Sequence, residues 1–231
     1  MTATDAASAV RTASAPDVSS RRARWPLFGV AAGLLGAVAT LVTDIHPEGY
    51  PEGFTPKVIS DVSQTKAHIS IVAGFLVVAL LLVLAGAWRR RVEPQVPGST
   101  AAHVVSGALT ASAAALTLGY GWKGALAVYL PGGMDAGAFD RAGLYVLFML
   151  NDFGSFIGWL GVVVAAGAIA WMALRERTVS RWIGAVSVLP VLVVTGFVSA
   201  TGLPGFQGIV GPLWLAVAFL GLSFGRSPIV R

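Results

Sequence analysis

The chain has 231 residues, of which 55% are hydrophobic and only 12% charged, against the ~25% charged residues usual in soluble domains. Its net charge of +5 is scattered in small clusters at the ends of apolar runs, which argues against a nucleic-acid-binding domain and for topology signals. With no cysteine, the sequence excludes disulfides, thiolate metal sites and thiol catalysis.

Residues 1–20 are rich in Ala, Ser and Thr, show no apolar periodicity, and read as a disordered tail. Ser20-Arg21-Arg22 and Arg24 then lead into an apolar run over residues 25–43. A twin-arginine signal peptide begins in the same way. No small-residue cleavage site follows, however, and more apolar runs do, so the run reads as an uncleaved first span. Gly29 and Gly33 form a GxxxG pair on it, a spacing that permits close helix contact. Residues 44–67 are the longest polar connection, with Pro47, Pro51 and Pro56, and a short helix is expected near Pro56 to Thr65. A second span, 68–88, closes on Arg89-Arg90-Arg91, and residues 93–100 form a turn-rich loop.

The rest of the chain is organised around residues 101–174. Two apolar segments, 101–130 and 144–174, are joined across Pro131-Gly132-Gly133. As helices of about 30 residues each would span ~45 Å, well beyond a ~30 Å hydrocarbon core. The first carries Lys123 as its one permanently charged residue and the second carries Asp152. Arg175, Arg177 and Arg181 then form a basic turn. A fifth span, 182–201, contains Pro190 and is expected to kink there. Residues 202–208 form a tight uncharged loop, 209–224 a sixth span, and 226–231 a short tail.

The fold class is therefore all-α, a polytopic membrane protein with a bundle of six transmembrane helices within residues 21–225. Twelve of the sixteen Lys and Arg residues fall on one side of that arrangement. Lys57, Lys66, Lys123 and Arg141 fall on the other. The asymmetry places the N-terminus and the C-terminus in the cytoplasm of a bacterial inner membrane. Trp25, Trp88, Trp171 and Trp182, beside the cytoplasmic arginines, are expected to form an interfacial belt. Arg175 and Arg181-Trp182-Ile183-Gly184, followed by Gly211-Pro212-Leu213-Trp214, resemble the C-terminal third of small multi-pass bacterial membrane proteins classed as domains of unknown function. That resemblance covers about 50 residues and implies no catalytic residue.

Polar candidates gather on the outer side: Asp44, His46, His68, Lys123, Asn151, Asp152 and Ser155. Asn151 and Ser155 are four residues apart and share a helix face with Asp152 beside them. His46 and His68 with two carboxylates have the donor chemistry of a Zn²⁺ site, or of a proton relay, although no HExxH-type motif fixes them. The alternative is that Asp44, His46 and Glu48 end a helix in water while His68 sits at the headgroup boundary. His103 lies at the opposite depth, which disfavours a bis-histidine haem and leaves only His46 with His68 as a pair for one; no nucleophile elbow or P-loop is present, and no cofactor is expected.

Lys123 and Asp152 are symmetric about the Gly137-Ala138 bond, so an antiparallel hairpin brings them level. A pair there would relieve the cost of two intramembrane charges, with Tyr120 one turn away to assist. The competing expectation has Lys123 snorkelling outward alone and Asp152 in water. The functional expectation is a non-enzymatic integral membrane protein whose outer polar layer binds or senses a small ligand or ion, with the lipid bilayer and further copies of the chain as partners. The alternatives are a small proton-coupled secondary transporter and an intramembrane enzyme using the His46/His68/Asp152 layer.

Overall fold

The computed structural model describes residues 24–46, 55–225 and 227–230, with the backbone alone for Asp152. The expected disordered tail, residues 1–20, lies outside the described residues, as does part of the polar connection after the first span. Seven α-helices occur among the described residues: α1 (Leu27–Ala37), α2 (Gln64–Arg91), α3 (Thr100–Tyr129), α4 (Arg141–Ile157), α5 (Leu160–Leu174), α6 (Arg181–Thr201) and α7 (Gln207–Phe224). No strand occurs among the described residues. Among the described residues, five helical segments are long and apolar enough to cross a membrane: Gln64–Gln95, Thr100–Tyr129, Arg141–Leu174, Arg181–Thr201 and Gln207–Phe224. Leu27–Val42, the counterpart of the first expected span, is a shorter apolar helix. The short helix expected near Pro56 to Thr65 is a 3₁₀ segment, Pro56–Asp61.

Local chemistry sets the helix ends. Ser63, Ser99 and Asp140 cap α2, α3 and α4 by accepting the N–H of Lys66, Ala102 and Gly143. Arg89, Arg90 and Arg91 occupy the last turn of α2, where cations complement the helix dipole. α6 stops at Gly202, whose φ of 72° is the left-handed conformation glycine adopts without penalty.

Two features depart from the expectation of plain spans. The fourth is broken into α4 and α5 at Gly158-Trp159. Ser112 of α3 serves both sides of the break: its Oγ donates to the Gly158 carbonyl at 2.7 Å and accepts the Val162 N–H at 3.0 Å. A helix interruption in an apolar layer is tolerated when a neighbour satisfies the freed backbone groups in this way. The second departure is in α1, which passes at Val38–Val42 into a single π-helical turn.

Glycine sets the close helix contacts. The Gly29/Gly33 pair lies against Phe219, Pro212 and Ala216 of α7, where any Cβ would collide. A Cβ on Gly119 of α3 would sit 2.5 Å from the Gly154 carbonyl of α4, and one on Gly158 2.7 Å from Leu116. These contacts run α3 and α4 antiparallel, with 116 opposite 158 and 119 opposite 155. One turn further on, Lys123 stands opposite Asn151, beside Asp152. The expected register holds to within one residue.

The four tryptophans expected to form an interfacial belt divide by burial. Trp171 and Trp182 are exposed, but Trp25 and Trp88 are buried. They meet edge-on with ring centroids 6.0 Å apart and both lie against Phe219, so this end of the bundle has an internal aromatic cluster. The Trp88 indole is satisfied by donating to the Ala102 carbonyl at 2.9 Å. Replacing Ser112 with Ala should destabilise the protein by about 1–3 kcal/mol, because a buried carbonyl and a buried N–H both lose their partner. Equilibrium unfolding in detergent checks this, and a change below the scatter of surface substitutions would contradict the bridging role.

Candidate functional site

The π turn exposes the Ala39 carbonyl to side chains from elsewhere. Ser70 of α2 donates to it at 2.6 Å, Lys123 Nζ of α3 at 3.0 Å, and Thr43 Oγ1 at 3.2 Å. One residue on, Thr40 Oγ1 lies 2.8 Å from the Tyr120 hydroxyl and accepts the Trp159 indole N–H at 3.2 Å. A π turn leaves carbonyls misaligned with the regular ladder and therefore open to such donors. The first helix is thus tied to α2, α3 and α5 by polar contacts within about one helical turn. Ala39, Thr40, Ser70, Tyr120, Lys123 and Trp159 are all fully buried.

Beyond the turn the chain reaches Asp44 and His46. The His46 ring Nδ1 is 2.6 Å from Asp44 Oδ1, and the ring meets Phe148 edge-on at 5.7 Å. Burial raises the pKa of the Asp44 carboxyl, but the His46 hydrogen bond and the charges of His46 and Lys123 outweigh it. The net result holds Asp44 below the usual carboxylate range.

Asp44 and His46 form one wall of a cleft of about 420 Å³ that opens at this end of the bundle. Four phenylalanines, Phe153, Phe156, Phe197 and Phe206, line the rest with Leu203 and Ile209. The Phe197 and Phe206 rings are in face contact, with centroids 3.9 Å apart.

The other candidates separate. Asn151 and Ser155 are buried on the α4 face toward α3, 1% and 0% exposed. His68 is exposed on α2. No group of three or more His, Cys, Asp and Glu suited to a metal ion occurs among the described residues. The expected Lys123–Asp152 ion pair falls on a side chain outside the described residues. The acceptor observed for Lys123 is the Ala39 carbonyl, and Asp44 is an acid whose charge reaches it. His103, at the far end of the bundle, pairs with Glu93 at 2.7 Å.

Thr40, Ser70, Trp159 and Gln207 were not singled out in the sequence. Thr40 and Ser70 resemble ordinary small residues in apolar runs, and Trp159 resembles an ordinary membrane-helix aromatic. Gln207 sits in what reads as a loop, yet it opens α7 and is 3% exposed. Its one sequence signal is an amide between two apolar runs with no charged neighbour. No family model, curated protein or solved structure matches the chain.

A carboxyl whose folded pKa is depressed stabilises the fold above its unfolded pKa and loses that contribution as pH falls through the folded one. Unfolded Asp titrates near ~3.9, so Asp44 should add to a fall in stability below about pH 4. Thermal midpoints measured from pH 7 to pH 3 should therefore drop less steeply for Asp44→Asn than for the wild type. Parallel curves would contradict the assignment.

Proposed function

We propose that the protein is a multi-pass membrane protein that binds an amphipathic cation in the cleft beside Asp44 and His46. In this reading Leu27–Val42 is a sixth crossing, both termini are cytoplasmic in a bacterial inner membrane, and the cleft opens on the outer side. The placement of Lys and Arg supports that orientation.

The observation that carries the ligand class is the combination on the cleft wall: four phenylalanine rings and a carboxylate held ionised. Aromatic faces attract cations, and more strongly where water is excluded. The apolar lining suits a hydrophobic body, and Asp44 suits its charge. Leu203 and Ile209, at the rim, are partly exposed, which suits entry from lipid. The role is binding or sensing, and the cleft supplies no activated nucleophile for catalysis.

A second reading, a small proton-coupled transporter, is favoured by one observation: Lys123 is fully buried at the level of Asn151. Intramembrane ionisable groups often mark ion or proton pathways. Uptake of the ligand into proteoliposomes driven by a pH gradient would favour transport over binding alone.

Tetraphenylphosphonium and tetraphenylborate are probes of matching shape and opposite charge. The cation should bind the protein in nanodiscs at least about tenfold more tightly than the anion, a gap of ~1.4 kcal/mol. Asp44→Asn should erase most of that preference, and Phe206→Ala should weaken the cation several-fold. Equal binding of the two probes would overturn the ligand class. For the topology, green fluorescent protein fused after Arg91, Glu176 or Arg231 should fluoresce, and after Met134 or Gly205 should not. Fluorescence at Gly205 would overturn the six-crossing arrangement.

A further inference from the structure

Behind the phenylalanine wall lie polar groups that no described side chain or backbone group satisfies. Asn151 Nδ2, Asn151 Oδ1, Ser155 Oγ and Gln207 Oε1 are all buried, with no hydrogen-bond partner among the described residues. They belong to two helices, yet the helix contacts bring them within about one helical turn of one another. Gly119 lies against Ser155, which sets Lys123 opposite Asn151. Gly208 of α7 lies against Phe156 of α4, which sets Gln207 beside Ser155. Pro212 lies against Gly36 of α1, which brings Gln207, more than one turn earlier on the antiparallel α7, to the level of Thr40 and the π turn.

Lys123 adds to the unmet demand. Its Nζ carries three donors when protonated, and Ala39 takes one of them. The demand is therefore both for donors and for acceptors, in one buried layer contributed by α3, α4 and α7. Buried polar groups in folded proteins are paired with protein or with ordered water in the great majority of cases. A lone unpaired atom would be ordinary. Four on three residues within one helical turn, near an amine with donors beyond the one Ala39 takes, define a common partner.

We propose that this layer holds a cluster of about two or three internal water molecules, bounded by Lys123, Asn151, Ser155 and Gln207. Water is the partner that both donates and accepts, and it typically makes about three hydrogen bonds in such sites. A small anion would serve Lys123 and the Asn151 amide, but not Asn151 Oδ1 or Gln207 Oε1. A metal cation would serve those oxygens but not the Asn151 amide or Lys123. The Thr40–Tyr120–Trp159 triad closes the layer on the side toward the aromatic cluster of Trp25 and Trp88. Phe156 and Phe206, adjacent in sequence to Ser155 and Gln207, close it toward the cleft. The cluster stands independently of what the cleft binds.

Radiolytic labelling of the intact protein in ¹⁸O water tests it. Hydroxyl radicals formed from internal water oxidise the aromatic rings beside them, even where bulk solvent does not reach. Tyr120, Trp159 and Trp88 are all fully buried. Tyr120 and Trp159 bond to Thr40, at the level of Gln207, whereas Trp88 bonds to Ala102 at the far end of the bundle. Tyr120 and Trp159 should be oxidised at least about tenfold faster than Trp88, and Asn151→Leu should lower their labelling toward that of Trp88. Protection of Tyr120 and Trp159 equal to that of Trp88 in the wild type would overturn the proposal. The wild-type comparison stands whether or not the variant folds.

Discussion

One carbonyl holds the fold's polar interior together. The Ala39 oxygen, released by the π turn at Val38–Val42, receives Ser70, Lys123 and Thr43. An exposed hydroxyl or amine would gain little from such a bond, because water offers the same. Inside a bundle of apolar helices the alternative is an unsatisfied polar group, which costs about 1–3 kcal/mol each. The π turn therefore fixes how α1 sits against α2 and α3. Thr40, meeting Tyr120 and Trp159 one residue later, fixes it against α5 as well. The chain direction into Asp44 and His46, and hence the cleft wall, follows from that anchoring.

Glycine gives the remaining geometry, and the two devices act together. Gly119, Gly154 and Gly158 let α3 and α4 approach until backbone meets backbone, which brings the Lys123 level of α3 to the Asn151 level of α4. Gly29 and Gly33 do the same for α1 and α7. Without hydrophobic drive between helices already surrounded by apolar matter, close van der Waals contact and buried hydrogen bonds supply the association. Here the contacts set the register and the hydrogen bonds occupy the layer that the register creates.

The membrane-length helices were legible because an uninterrupted apolar run of eighteen or more residues has few other meanings. Four of the five long segments match their expected spans to within a few residues. The break at Gly158-Trp159 was not legible, since it lies inside one apolar run and is repaired by Ser112, far away in sequence. Trp25 and Trp88 show a similar limit: the belt rule concerns height along the membrane normal, whereas their inward direction depends on Phe219. Of the candidate site, charge and spacing singled out Asp44, His46 and Lys123, and set Lys123 level with Asp152, one residue from Asn151. The centre could not, because Ala39 contributes a backbone atom and no side-chain pattern marks it. The phenylalanine cleft was missed for another reason: phenylalanines in apolar runs read as ordinary lipid-facing residues, and only the fold gathers Phe153 and Phe156 with Phe197 and Phe206.

The claim that one carbonyl anchors three parts of the chain is most directly tested by a double-mutant cycle between Ser70 and Lys123. Either donor alone still serves the Ala39 oxygen, whereas losing both leaves it with only the longer Thr43 bond. Unfolding free energies for Ser70→Ala, Lys123→Met and the double variant should show the double costing about 1 kcal/mol more than the two singles combined. Additivity within about 0.3–0.5 kcal/mol, the behaviour of independent sites, would contradict the account.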